Sequence, residues 1–197
     1  MQSAQRVVCD IDRTKSIVVA GFLFALLFLL TPAMAEVPST IAVPGEALVT
    51  TFHAQGAQIY ECIANAAGGL TWQSREPIAT LIANGKTVGR HYAGPTWELA
   101  DGSAVVGKVT GRAPGATPKD IPLFKLDVVS QRGSGFAEIS TIQRLNTKGG
   151  VAEGPCEPAA ALLSVAYSAD YAFYTKARWS LIPYAAPNSD SPDLDKN

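Results

Sequence analysis

Two kinds of hydrophobic pattern run along this chain. Near the amino terminus an unbroken apolar run, residues 17–30, follows Arg6, Arg13 and Lys15 and precedes Ala33-Met34-Ala35. A basic lead, a short apolar stretch and a small-x-small site are the parts of a secretory signal peptide, expected here over residues 1–35. A spanning helix needs about 20 apolar residues, more than this run supplies, so cleavage after Ala35 is expected rather than a retained anchor. No cysteine directly follows the cleavage site, which leaves a lipid anchor no attachment point and the mature protein without a membrane span.

From residue 47 the pattern changes to short runs with a period of two. Candidate strands are 48–52, 58–63, 70–74, 86–92, 96–99, 103–110, 123–129, 136–145 and 165–175, each bounded by Gly, Pro, Asn or Asp. No long helical repeat is present; residues 159–163 have room for one or two helical turns. Residues 36–46, with Pro38, Pro44 and Gly45, read as an irregular lead-in. The fold class that follows is all-β: one domain over residues 47–184, built as an antiparallel β-barrel or a two-layer β-sandwich.

Local turn chemistry sharpens this. Asp101-Gly102 accepts positive φ and lies between two alternating runs, which predicts a hairpin. With those two residues as the loop, Leu99 faces Ala104 and Trp97 faces Val106. Asn84-Gly85 predicts a second hairpin that pairs Leu81 with Val88 and sets His91 on the face opposite Arg90, although residues 78–83 also admit a helical turn. Residues 111–122 hold Pro114, Gly115, Pro118 and Pro122 and read as a surface loop, because proline lacks the donor a ladder needs. The acidic tail, residues 185–197, has no apolar face to bury and is expected to be disordered.

Charge narrows the partners. The chain has 16 basic and 17 acidic residues; losing Arg6, Arg13, Lys15, Asp10 and Asp12 with the signal leaves 13 against 15, a formal −2. No cluster of Lys or Arg remains, so a nucleic-acid partner is excluded as an expectation. Export also changes what the cysteines mean. Cys9 leaves with the signal, and Cys62 and Cys156 remain in an oxidising space, where a structural disulfide is expected. Catalytic dithiols sit close together as Cys-x-x-Cys, and these two do not.

Candidate chemistry is sparse. His53 and His91 are the only histidines and match no metal-ligand spacing, so no metal is expected. No nucleotide loop or Gly-x-Ser-x-Gly elbow is present, and no cofactor is expected. Glycoside hydrolysis needs two carboxylates in different protonation states, and Glu61, Glu98, Asp101, Glu138 and Asp170 are available without a spacing that selects a pair. More suggestive is the strand in which Val165, Tyr167, Ala169, Tyr171 and Phe173 share one face and Ser168, Asp170 and Tyr174 the other. That apolar face is either core or the wall of a pocket in a barrel mouth. Arg144 is a scaffold residue if paired with Glu98 or Asp170 and an anion site if it faces a cleft unpaired. The ligand-binding candidates are therefore His91, Trp97, Glu98, Arg144, Asp170 and Tyr171.

A set of motifs adds a resemblance: Gln58-Ile59-Tyr60-Glu61-Cys62, Gly94-Pro95-Thr96-Trp97-Glu98, Asp101-Gly102-Ser103, Ile142-Gln143-Arg144-Leu145 with Thr147 and Gly149-Gly150, and Tyr167-Ser168-Ala169-Asp170-Tyr171 with Phe173-Tyr174. In this order they resemble the domain-of-unknown-function family 3455, exported proteins of bacteria and fungi, from Glu46 to about Thr175. The resemblance implies an exported domain in which Cys62 and Cys156 are family positions; the family brings no established activity, so it assigns no catalytic role to any residue here. One departure stands out: after Ile121-Pro122 the family pattern has Trp-Leu, and this chain has Leu123-Phe124. The expectation is an exported, periplasmic or secreted β domain that binds a small molecule or an envelope component without catalysis. Two alternatives differ in class: a carbohydrate-directed hydrolase using His91 or the carboxylates of Glu98 and Asp170, and a partner-docking module presenting the proline-rich loop and a strand edge.

Overall fold

The computed structural model describes residues 37–177. The expected signal peptide, the end of the domain and the acidic tail lie outside the described residues. Eight antiparallel strands, β1 (Glu46–Ala64), β2 (Leu70–Ala83), β3 (Lys86–Tyr92), β4 (Thr96–Leu99), β5 (Ala104–Ala113), β6 (Leu123–Arg132), β7 (Thr141–Gly149) and β8 (Leu162–Lys176), pair in sequence order. Pairing of β1 with β8 closes them into a barrel, which decides between the two architectures left open by the sequence. Among the described residues no helix is long and apolar enough to cross a membrane.

Several sequence expectations meet corrections. Candidate strands 48–52 and 58–63 are one strand, because β1 pairs with β2 on one side and β8 on the other through residues 53–57. Residues 78–83 are strand rather than a helical turn, and residues 162–163 begin β8 instead of closing a helical turn. Pro77 is tolerated within β2 because pairing with β3 starts only at Ala79, so its missing donor lies beyond that ladder. Residues 136–140 are not strand: Ala137 N–H donates to Ser134 O and Ile139 N–H to Phe136 O, a spacing of three that sends Phe136 and Ile139 into the core. Gly111, Arg112 and Ala113 extend β5 rather than opening the loop, and Ile121 at the loop's far end is buried. Within the lead-in, Ser39–Ile41 form a single 3-10 turn whose Ile41 is fully buried, its carbonyl accepting from Gln143 Nε2 at 2.6 Å.

Both expected hairpins form, with shifted registers. At Asn84-Gly85 both residues have positive φ, and a bulge between Leu81 and Ile82 pairs Leu81 with Gly89 instead of Val88. The second hairpin has a three-residue loop, Ala100-Asp101-Gly102: Leu99 N–H donates to Ser103 O and Gly102 N–H to Leu99 O. Trp97 consequently faces Val105 and Glu98 faces Ala104, one residue away from the two-residue alternative. Since side chains alternate along a strand, this slip puts Val105, not Val106, inside with Trp97. The turn needs Gly102 at φ +84, and an added Cβ there would meet nothing within 4 Å. Gly102→Ala is therefore expected to cost only the left-handed backbone penalty, about 1–2 kcal/mol, read as a shift in the urea unfolding midpoint with the fold retained.

Inward-facing residues fill most of the barrel. Tyr167, Ala169, Tyr171 and Phe173 alternate inward along β8 and join Ala54, Leu81, Trp97, Val105, Leu126, Phe136 and Ile142 in one core. One end is packed by Phe173 with Phe136 and Phe52, at ring-centroid distances of 5.1 and 5.4 Å. The outer bridge is covalent: Cys62 in β1 and Cys156 in the β7–β8 connection form a disulfide with a Cα–Cα distance of 5.6 Å. Backbone bonds flank it, Cys62 N–H to Ala161 O and Ala160 N–H to Cys62 O.

Candidate functional site

A cavity of about 380 Å³ lies within the barrel wall where the short strands β3 and β4 meet the β5–β6 connection. Its boundary includes Ser74–Pro77 of β2, Gly94-Pro95 of the β3–β4 turn, Arg112 at the end of β5 and Ile121-Pro122 before β6. Four of the six residues singled out from sequence come together on it: His91, Trp97, Arg144 and Tyr171. All four are at most 7% exposed.

Sheet register explains the convergence. His91 and Trp97 are direct cross-strand partners in the β3–β4 pair, and their rings stack at 4.5 Å with 11° between planes. Phe124, Arg144 and Tyr171 are partners in turn across β6, β7 and β8, forming a row at the same level. The Tyr171 ring meets both others, 4.8 Å from His91 and 5.1 Å from Trp97. Gly107 makes room for this cluster: a Cβ there would sit 3.1 Å from Leu126 and 3.2 Å from Trp97. The Trp97 indole N–H is buried without a partner.

The electrostatics are one-sided. Burial pushes the His91 imidazole down to about 3, against the opposing hydrogen bond to Thr96, so the ring is neutral at physiological pH. Its Nδ1 lies 2.8 Å from the Thr96 carbonyl, which can only accept; Nδ1 is thus the protonated nitrogen and Nε2 the acceptor. Burial also raises the Tyr171 and Tyr60 phenols, which are neutral donors. Burial lowers the Arg144 guanidinium, with the Tyr171 hydroxyl opposing, but an arginine so placed keeps its charge. Arg144 Nε donates to Pro122 O at 2.9 Å, and its Cζ lies 3.8 Å from the Phe124 ring centroid.

Glu98 and Asp170 lie elsewhere. Glu98 accepts from Tyr92 Oη at 2.6 Å and Arg90 Nη2 at 2.9 Å, and pairs with Arg132 at 3.3 Å. Those bonds, that from Tyr92 foremost, hold its carboxyl below the ordinary range. Asp170 pairs with His53 Nδ1 at 2.8 Å and accepts from Asn146 Nδ2 at 2.8 Å. Neither carboxylate pairs with Arg144 or lines the cavity. Among the described residues no group of three His, Cys, Asp or Glu side chains could hold a metal ion.

Arg112 and Phe124 were missed in the sequence reading. Arg112 falls beyond the strand expected at residues 103–110, inside a stretch dominated by proline and glycine. Phe124 stands one position after the family's aromatic, and in a strand that single step moves a side chain to the opposite face, here the one lining the cavity.

Fold and site together define a class: a closed, eight-stranded antiparallel barrel, packed by aromatic rings at one end and hollow near the other. A family model described as "Protein of unknown function (DUF3455)" matches residues 82–175, from the end of β2 to the penultimate residue of β8. No curated protein and no solved structure matches the chain.

Proposed function

We propose that this is an exported binding module that holds a small molecule in the barrel cavity and releases it unchanged. The observation that carries the reading is the cavity itself. At about 380 Å³ it has the volume of a small-ligand pocket, a largely apolar wall, and a few polar groups converging from different strands. The disulfide accords with an oxidising compartment.

The groups nearest the cavity suit binding better than turnover. A histidine held near 3 is a weak base at neutral pH, and a glycosidase acid needs a carboxyl tuned upward, whereas Glu98 is tuned downward and lies outside the cavity. A thermal-shift panel of sugars, lipids, aromatic acids and envelope fragments tests the proposal on the full chain expressed in an oxidising compartment, with each hit checked by mass. A bound ligand at a hundredfold excess over Kd should add about 2.7 kcal/mol of stability and be recovered intact. A consumed ligand would make the protein an enzyme, and a panel without a single shift would remove the binding reading.

A further inference from the structure

The arginines of the described chain fall into two groups. Arg75 pairs with Glu76 at 3.6 Å and Glu61 at 3.8 Å, and Arg90 and Arg132 share Glu98 at 2.9 and 3.3 Å. Arg112 and Arg144 have no carboxylate partner among the described residues, and both line the cavity. Their guanidiniums lie against the same ring, Arg144 Cζ at 3.8 Å and Arg112 Cζ at 4.6 Å from the Phe124 centroid. Two like charges on one phenyl ring repel each other, and Arg144 is only 7% exposed. Cation–π attraction offsets part of that cost, but a buried cation ordinarily also has a counter-charge. The other side chains around Arg144 (His91, Tyr171 and Tyr167) are neutral.

The missing charge is of a particular kind. With Nε bound to Pro122 O, the terminal nitrogens of Arg144 form the fork that accepts a planar carboxylate. Glu76 lies on the wall beside Arg75, its ion-pair partner at 3.6 Å, so the two offset each other and leave Arg144 and Arg112 as the charge facing the cavity. Ile121, Leu126 and Trp97 offer apolar surface to the rest of a ligand. We infer that the cavity takes a small organic carboxylate, its carboxyl group between Arg144 and Arg112 and its apolar body against Ile121, Leu126 and Trp97. This rests on the reading of the cavity as a ligand site and names the chemical class of the ligand.

The test is calorimetric titration of the full-length oxidised protein with benzoate and hexanoate, against the neutral probes benzamide and benzyl alcohol and against inorganic phosphate. Both carboxylates are expected to bind, and each neutral probe to bind about tenfold or more weakly. Arg112→Gln alters an exposed residue, so it should melt like the parent while weakening benzoate by a similar factor; Arg144→Gln should weaken it further. Benzamide binding as tightly as benzoate, or benzoate indifferent to Arg112→Gln, would overturn the carboxylate assignment and leave the small-molecule reading standing. Phosphate displacing benzoate at equal concentration would overturn it too, in favour of a general anion site. Absence of binding by every probe would overturn the inference and the ligand-site reading together.

Discussion

Breaking the bond between Cys62 and Cys156 should lower the unfolding free energy by about 4–5 kcal/mol. The two cysteines are 94 residues apart in sequence, so the bond closes a loop spanning most of the barrel and removes a large set of conformations from the unfolded chain. In the folded state it pins the β7–β8 connection to the C-terminal end of β1, where Cys62 is fully buried and Cys156 nearly so. That connection separates β7 from β8, the strand on which the barrel closes. Urea unfolding of the oxidised protein, the reduced protein and the Cys62→Ala/Cys156→Ala double variant measures the effect. The reduced protein and the double variant should lose similar amounts; a loss below about 1 kcal/mol in both would mean that loop closure contributes little.

The second large effect is a loss of stability on mild acidification, traced to one residue. His91 is 2% exposed and stays neutral down to about pH 3, while a histidine in the unfolded chain titrates near 6.5. Between those values the unfolded chain binds a proton that the folded chain does not, so stability present above pH 6.5 falls as the pH falls. The slope approaches about 1.4 kcal/mol per pH unit once the unfolded histidine is charged. From pH 6 to 4.5 the expected loss is about 2 kcal/mol. Glu98 and Asp120, whose carboxyls are held low chiefly by hydrogen bonds from Tyr92 and Thr117, add their own losses at lower pH, which keeps the upper window clear. His91→Gln removes the titration and keeps a donor for the Thr96 carbonyl. Denaturation midpoints at pH 7, 6, 5.2 and 4.5 should fall for the parent and stay nearly level for the variant; parallel curves would mean that His91 carries no such burden.

Much of the fold was legible because local chemistry wrote it. β3 and β4 begin and end at the expected residues, each bounded by a turn whose glycine has positive φ. The alternation of Tyr167, Ala169, Tyr171 and Phe173 into the core follows from period two alone. Expectation failed where a neighbour outvoted local pattern. Residues 53–57 fell between two expected strands, yet partners on both sides hold them in β1. Phe136 and Ile139 looked like strand residues because they are apolar, but their spacing of three belongs to a turn that caps the core.

The candidate site divides along the same line. His91, Trp97, Arg144 and Tyr171 could be named in advance, since titratable, aromatic and cationic side chains on strands are few in this chain. Whether Arg144 has a partner could not be, because that depends on which side chains share its level of the barrel. Register sets that level: one residue of slip moves every side chain to the other face. Glu98 and Asp170 carry the right charge for Arg144, but their own neighbours claim them, Arg90, Tyr92 and Arg132 in one case and His53 and Asn146 in the other.

Composition and periodicity alone settled the all-β class and the two hairpin turns, because turn φ angles and strand alternation are properties of a few adjacent residues. The spacing of the cysteines and the expected compartment pointed to the disulfide, and the bonded pair bears that out. Only the tertiary structure settled barrel over sandwich, the registers, and the placing of two arginines, neither with a carboxylate partner among the described residues, on one phenyl ring in a cavity wall. Those depend on contacts between segments tens of residues apart, and such contacts are decided by closure of the sheet, which no single stretch of the chain encodes.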